Sequence, residues 1–115
     1  MNNDMDLPKL INNLARAQNN LDSVAFLECF VEGATVNNAG GTFNGKEEIR
    51  SWIQESCSKY ETFLVPLDYS EKDNNSILLV EAHGNFAHSP ASLKYHIKTQ
   101  DGLIQSLKIT TSSTR

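Results

Sequence analysis

Glu81, His83 and Asn85 stand two residues apart within Ser76 to Phe86, a stretch whose Ile, Leu, Val and Phe content favours a β-strand. Side chains alternate between the faces of a strand, so these three share one side with Ile77 and Leu79, while Leu78, Val80, Ala82, Gly84 and Phe86 form the other. A carboxylate beside an imidazole favours the charged ring and orients it, which equips Glu81 and His83 to exchange a proton or position a water if their side turns toward a ligand. On that condition His83 and Glu81 are the candidate catalytic residues, with Asn85 as a polar ligand contact. The competing reading makes this side a sheet rim or a subunit contact, because same-face polar residues are ordinary on antiparallel sheets.

Other residue types point to binding more than to reaction. Trp52, Tyr60, Phe63 and Tyr95 are candidates to line an apolar ligand cavity, with indole or hydroxyl donors to orient a guest, alongside the plainer role of filling a core. His88 and Ser89 precede Pro90 in a loop, and adjacency alone does not make a nucleophile with its base. His83, His88 and His96 follow neither the helical HExxH pattern nor a cysteine-rich zinc spacing, so no metal is expected. GGTFNG before Lys46 lacks the glycine spacing and the following hydroxyl of a phosphate loop, so no nucleotide cofactor is expected either. Cys29 and Cys57, inside apolar-periodic segments, read as small buried hydrophobes.

Composition bounds the partners. The chain has 115 residues, 39% of them hydrophobic, and 10 Lys plus Arg against 14 Asp plus Glu give a net charge of -4. That length suits one domain over 1–115 with short flexible ends. A mildly acidic chain without basic runs lacks the footprint that binds nucleic acid. The longest apolar runs, such as Ile77 to Val80, fall far short of the roughly 20 residues that span a bilayer, and the start has no basic and apolar leader, so the expected location is cytoplasmic.

The elements that must position these residues divide by period. Leu7, Leu10, Ile11, Leu14, Ala17 and Leu21 recur at helical spacing behind Pro8, predicting a helix over residues 8–19 ended by Asn19 and Asn20. Asp22 can cap a second helix carrying Val24, Ala25, Phe26, Cys29 and Phe30, with Gly33 as its stop. Ala34 to Asn38 and Thr42 to Phe43 predict a small hairpin turning at Gly40 and Gly41. Asn44 and Glu47 approximate a capping box for a third helix over residues 45–59, with Ile49, Trp52, Ile53, Cys57 and Tyr60 as its stripe. From Phe63 the period becomes two. A strand from Phe63 to Tyr69 is marked by Pro66 as an edge or a bulge, and Ser76 to Phe86, Ser92 to Lys98 and Leu103 to Thr110 follow as antiparallel neighbours. Helices with apolar stripes over one sheet face define an α+β layer arrangement.

In its wording the chain resembles the nuclear transport factor 2-like superfamily, particularly SnoaL-like and ketosteroid-isomerase-like domains. The resemblance runs through LPKLINNLARAQNNLDSVAFLECFVEGATVNN, GTFNGKEEIRSWI, GNFAHSPASLKYHI and DGLIQSLKI. It implies a cystatin-like arrangement: a cone-shaped, strongly curved antiparallel sheet closed by three N-terminal helices, commonly as a homodimer. In the isomerase members an aspartate serves as base, and a tyrosine and a protonated aspartate polarise the substrate oxygen. The corresponding positions here fall on Asn38, Leu14 and Leu93, none of which has the required group, so the steroid-isomerase mechanism is not expected. Asn38 instead becomes a candidate ligand contact or a turn stabiliser. Such a fold hosts many functions. The leading expectation is a small-ligand-binding domain with an apolar pocket that takes a small hydrophobic molecule. The alternatives are a lyase, cyclase or isomerase acting on a small hydrophobic carbonyl or polyketide-like compound, and a structural interaction module.

Overall fold

A computed structural model of the protein describes residues 7–38, 41–87 and 89–111. Helix α1 spans Lys9–Asn19 and opens behind Pro8, whose missing N–H costs nothing at a helix start. Its buried side is Ile11, Leu14, Ala15, Ala17 and Gln18. After Leu21, which takes a left-handed backbone at φ 56°, the Asp22 carboxylate accepts from the Ala25 N–H at 3.1 Å and starts the short α2, Ser23–Leu27.

The chain then becomes extended earlier than its apolar spacing predicts. Strand β1 runs Phe30–Asn38, so Gly33 lies inside a strand, within the register irregularity between Phe30 and Thr35, and does not stop a helix. A β-branched and aromatic run won over the helical spacing once it found a sheet partner. Strand β2, Gly41–Asn44, pairs antiparallel with β1 and leads into α3, Gly45–Glu55. The helix continues as a wider π-helical turn over Ser56–Tyr60 and ends at Glu61, whose left-handed φ of 49° turns the chain. Four long strands follow: β3 Phe63–Lys72, β4 Asn75–His83, β5 Ala91–Gln100 and β6 Leu103–Thr111.

These strands form one sheet in the order β2-β1-β6-β5-β4-β3. As the alternating segments predict, β4, β5 and β6 are antiparallel neighbours. Strand β3 is an edge, with its register shift between Pro66 and Asp68, where a residue without an N–H is tolerated. Three features of the expected fold are corrected. The sheet is mixed, because β1 lies parallel to β6, and it is open between its edges β2 and β3, so it is neither purely antiparallel nor closed into a cone. Only α1 and α2 are N-terminal; α3 follows the β1–β2 hairpin. That order leaves room for the parallel pairing, since β2, α3, β3, β4 and β5 lie between β1 and β6 in the chain and make the long connection that parallel neighbours need.

The helices cover one face of the sheet. Phe26, Phe30, Val36, Ile49, Ile53, Leu78, Val80, Ile97, Ile104 and Leu107 make the core between the layers. Burial of each such large side chain contributes about 1.5–3 kcal/mol. Cys29 and Cys57 are free thiols buried near it, and burial pushes the Cys29 thiol up to about 11. Asn19 locks the end of α1 to β3: its side-chain nitrogen donates to the Leu64 carbonyl at 2.9 Å, and its oxygen accepts from the Leu64 N–H at 2.6 Å. No helix among the described residues is long and apolar enough to cross a membrane.

Candidate functional site

A cavity of about 480 Å³ opens between the helical layer and the inner face of the sheet. Strand register explains its floor. Asn38 of β1 pairs with Ile109 of β6, Ile109 with Tyr95 of β5, and Tyr95 with Leu78 of β4, so these four residues form one row across four strands. Paired residues point to the same face, and Leu78 and Tyr95 are fully or almost fully buried. Asn38, Ile109 and Tyr95 therefore face the cavity together, and all three line it.

The walls come from the helix side. Trp52 of α3 stands between core and cavity, with its ring centroid 5.9 Å from Phe26 and stacked 5.7 Å from Phe43. Phe43 pairs with buried Val36, which turns its ring inward from β2. The π-helical turn brings Ser56 and Tyr60 to the lining, and Phe86 and Leu93 complete its apolar side. The end of β4 is held against that turn by the Asn85 N–H, which donates to the Tyr60 carbonyl at 2.8 Å. A Cβ on Gly84 would lie 2.7 Å from the same carbonyl, so only glycine permits this approach.

One buried polar pair interrupts the apolar lining. The Tyr95 hydroxyl donates to the side-chain oxygen of Gln18 at 3.1 Å. Tyr95 is 2% exposed and Gln18 3%. Burial raises the Tyr95 phenol well above its ordinary range, the bond to Gln18 offsetting this only in part, so the hydroxyl stays protonated at physiological pH. Among the described residues Glu55 is the one carboxylate of the lining, and no Lys, Arg or His contributes to it. The Glu55 side chain is 66% exposed and lies 4.0 Å from Lys59, which puts its charge at the mouth.

Of the residues singled out from sequence, Asn38, Trp52, Tyr60 and Tyr95 meet at this cavity. Four others do not. Phe63 pairs with His83 and Val65 with Glu81 on the outer face, opposite Leu64 and Ala82, which are buried on the inner one. His83 Nε2 lies 3.0 Å from Glu81 Oε1, so the pair forms, but about two-fifths exposed and on the side of the sheet away from the cavity. The condition that Glu81 and His83 turn toward a ligand in this cavity is not met, because the uninterrupted alternation of β4 gives the inner face to Leu78, Val80 and Ala82. Asn85 is exposed and contacts the site only through its backbone. His88 lies outside the described residues, as do the expected flexible ends; Ser89 Oγ accepts from the Gly84 N–H at 3.0 Å, a turn-stabilising bond. Among the described residues, no group of three His, Cys, Asp or Glu is placed to hold a metal ion.

Gln18 was not among the sequence candidates, although a signal was present. It stands four residues after Leu14 and seven after Ile11, on the apolar stripe of α1, where a polar side chain needs a partner or a purpose. Phe43, Phe86 and Ile109 carried no comparable signal, because an inward apolar side chain looks the same whether it meets a neighbour or a void.

The sequence matches no protein-family model, and no curated protein matches it. Solved structures do match. A candidate polyketide cyclase from Sinorhizobium meliloti superposes with a TM-score of 0.88 at 27% identity, over 92% of this chain and 97% of that one. An NTF2-like protein of unknown function from Cytophaga hutchinsonii gives 0.78 at 19% identity, over 94% and 95% of the two chains. A hypothetical protein with a ketosteroid isomerase-like fold from Catenulispora acidiphila, solved in complex with trimethylamine, gives 0.78 at 17% identity, over 92% and 87%. The chain has the fold these proteins share, that of the nuclear transport factor 2-like superfamily.

Proposed function

We propose that this nuclear transport factor 2-like chain binds a small, mainly apolar organic molecule in the cavity between α3 and the inner sheet face. The observation that carries the reading is the lining itself: aromatic walls at Phe43, Trp52 and Phe86 around a volume of about 480 Å³, with a few polar groups converging at its floor. Small-molecule sites have this composition and fall within roughly 300–1,000 Å³. Asn38 and Tyr60 orient the guest, Tyr95 does so through the Gln18 amide it holds, and Trp52 packs against it.

Trp52 is the single tryptophan of the chain, so its emission reports occupancy without a label. Titration with 2-acetylnaphthalene, followed by calorimetry and by Trp52 emission, tests the reading. Saturable binding that weakens at least tenfold in Ala82→Leu, which fills the cavity from its β4 wall, supports it. Absence of binding, or binding indifferent to that substitution in a folded variant, contradicts it.

A second reading, a lyase, cyclase or isomerase acting on a hydrophobic carbonyl compound, is favoured by the 27% identity to a protein described as a candidate polyketide cyclase. In this reading Glu55 is the proton-transfer group, as the carboxylate of the lining. Turnover of a bound carbonyl compound that is abolished in Glu55→Gln, with binding retained, separates it from the first. A homodimer through the outer sheet face accompanies either reading and is supported by the half-exposed Phe63 and the exposed Ile77 there.

A further inference from the structure

The floor of the cavity has more hydrogen-bond donors than it can use. Gln18 carries two amide N–H groups and Tyr95 one O–H. Their mutual bond, at 3.1 Å, consumes a single donor. Among the described residues no other side-chain hydrogen bond engages either group, although both residues are at least 97% removed from solvent. Two donors therefore remain without a partner among the described residues, on side chains that line the cavity. That number does not depend on which way the Gln18 amide is turned: reversed, its nitrogen would donate to the Tyr95 oxygen, leaving one amide N–H and the phenol O–H. Unmet donors out of water are costly, and an apolar guest would seal them in that state.

Charge narrows the guest further. The phenol is held in its neutral form by burial, and among the described residues no cationic side chain lines the cavity, whereas Glu55 places a carboxylate at its mouth. An anionic guest would find no counter-charge inside.

We propose that Gln18 and Tyr95 act as a specificity-determining donor pair that selects an uncharged ligand bearing a hydrogen-bond acceptor at its buried end, against hydrocarbons of the same shape and against anions. The inference rests on the cavity being a ligand site. Gln18 makes the contact through its free amide hydrogens, and Tyr95 fixes the amide plane by holding its oxygen. The acceptor is a neutral oxygen or nitrogen, and the remainder of the ligand packs on Trp52 and Leu93.

Three naphthalenes of nearly equal shape separate the terms: 2-acetylnaphthalene with a carbonyl, 2-isopropenylnaphthalene with a methylene in its place, and 2-naphthoate with a charge. Calorimetric affinities for the unmodified protein are expected to fall in that order, with the ketone about tenfold tighter than the alkene, as one hydrogen bond to otherwise unmet donors implies. In Gln18→Met the ketone and the alkene should bind alike. The infrared carbonyl band of bound 2-acetylnaphthalene, read on the unmodified protein, should lie below its position in hexane; this keeps the test decisive if the variant does not fold. Equal affinity for ketone and alkene, a preference that survives Gln18→Met, or an unshifted carbonyl band overturns the donor pair while leaving the cavity as a ligand site. Binding of none of the three compounds overturns both.

Discussion

The Tyr95 hydroxyl meets the side-chain oxygen of Gln18 at 3.1 Å, joining the centre of β5 to the last turn of α1 beneath the cavity. Both groups are out of water, so the loss of either leaves a buried polar atom without its partner. Tyr95→Phe removes one hydroxyl and little volume, and is expected to cost about 1–3 kcal/mol in urea unfolding. A change below a few tenths of a kcal/mol would mean that the bond is not formed in solution.

Gly84 sets the shape of the cavity mouth. Its added Cβ would lie 2.7 Å from the Tyr60 carbonyl oxygen and 2.8 Å from the Phe86 ring. The ring can rotate away, but the carbonyl belongs to the π-helical turn and already accepts from the Asn85 N–H. Gly84→Ala is expected to destabilise the fold by about 1–3 kcal/mol, as overpacking does. It should also weaken 2-acetylnaphthalene binding by moving Tyr60. Unfolding curves and calorimetry on the same variant measure both effects.

The outer face yields a pH prediction. Burial lowers the His96 pKa below its ordinary 6.5, helped by Lys108 and Lys94. Lys108 is its register partner on β6, Ile77 is its partner on β4, and Thr110 Oγ1 lies 3.1 Å from His96 Nε2. A depressed histidine favours the folded state while neutral. Its contribution is complete above the unfolded value and is lost as pH falls below about 6.5 toward the folded value, because the unfolded chain takes up the proton first. Between pH 7.5 and pH 5.5 the unmodified protein should therefore lose more stability than His96→Gln. Equal losses in parallel urea titrations would contradict the assignment.

Much of this was legible from local pattern. Pro66 marked the edge strand and its bulge, because a missing N–H cannot serve a central ladder. Period two in β4 separated Leu78, Val80 and Ala82 from Glu81 and His83, and the structure shows that the apolar set is the inner one. The parallel pairing of β1 with β6 was not legible, since nothing within either strand encodes a partner some 70 residues away. Nor was the change from α to π geometry at Ser56, which lets Tyr60 face the cavity. The second helix is shorter than its apolar spacing predicts because Phe26, Cys29 and Phe30 fit a helical face as well as they fit a short helix running into a strand. Gln18 broke its own pattern, as a polar residue on the buried stripe of α1.

The position of His83 predicts a negative result with content. Its ring pairs with Glu81 on the face opposite the cavity. His83→Gln should leave the 2-acetylnaphthalene affinity within about twofold, since surface changes away from a site are typically worth less than about 0.5 kcal/mol. A larger loss would show that the outer face takes part in binding.

A crystal structure of the protein grown with 2-acetylnaphthalene would place the guest relative to Gln18 and Trp52. The naphthalene rings should lie against Trp52 and Leu93, with the carbonyl oxygen within hydrogen-bond distance of the Gln18 amide nitrogen. Rings bound elsewhere, or a cavity closed by Phe43 and Phe86 with no ligand inside, would contradict it.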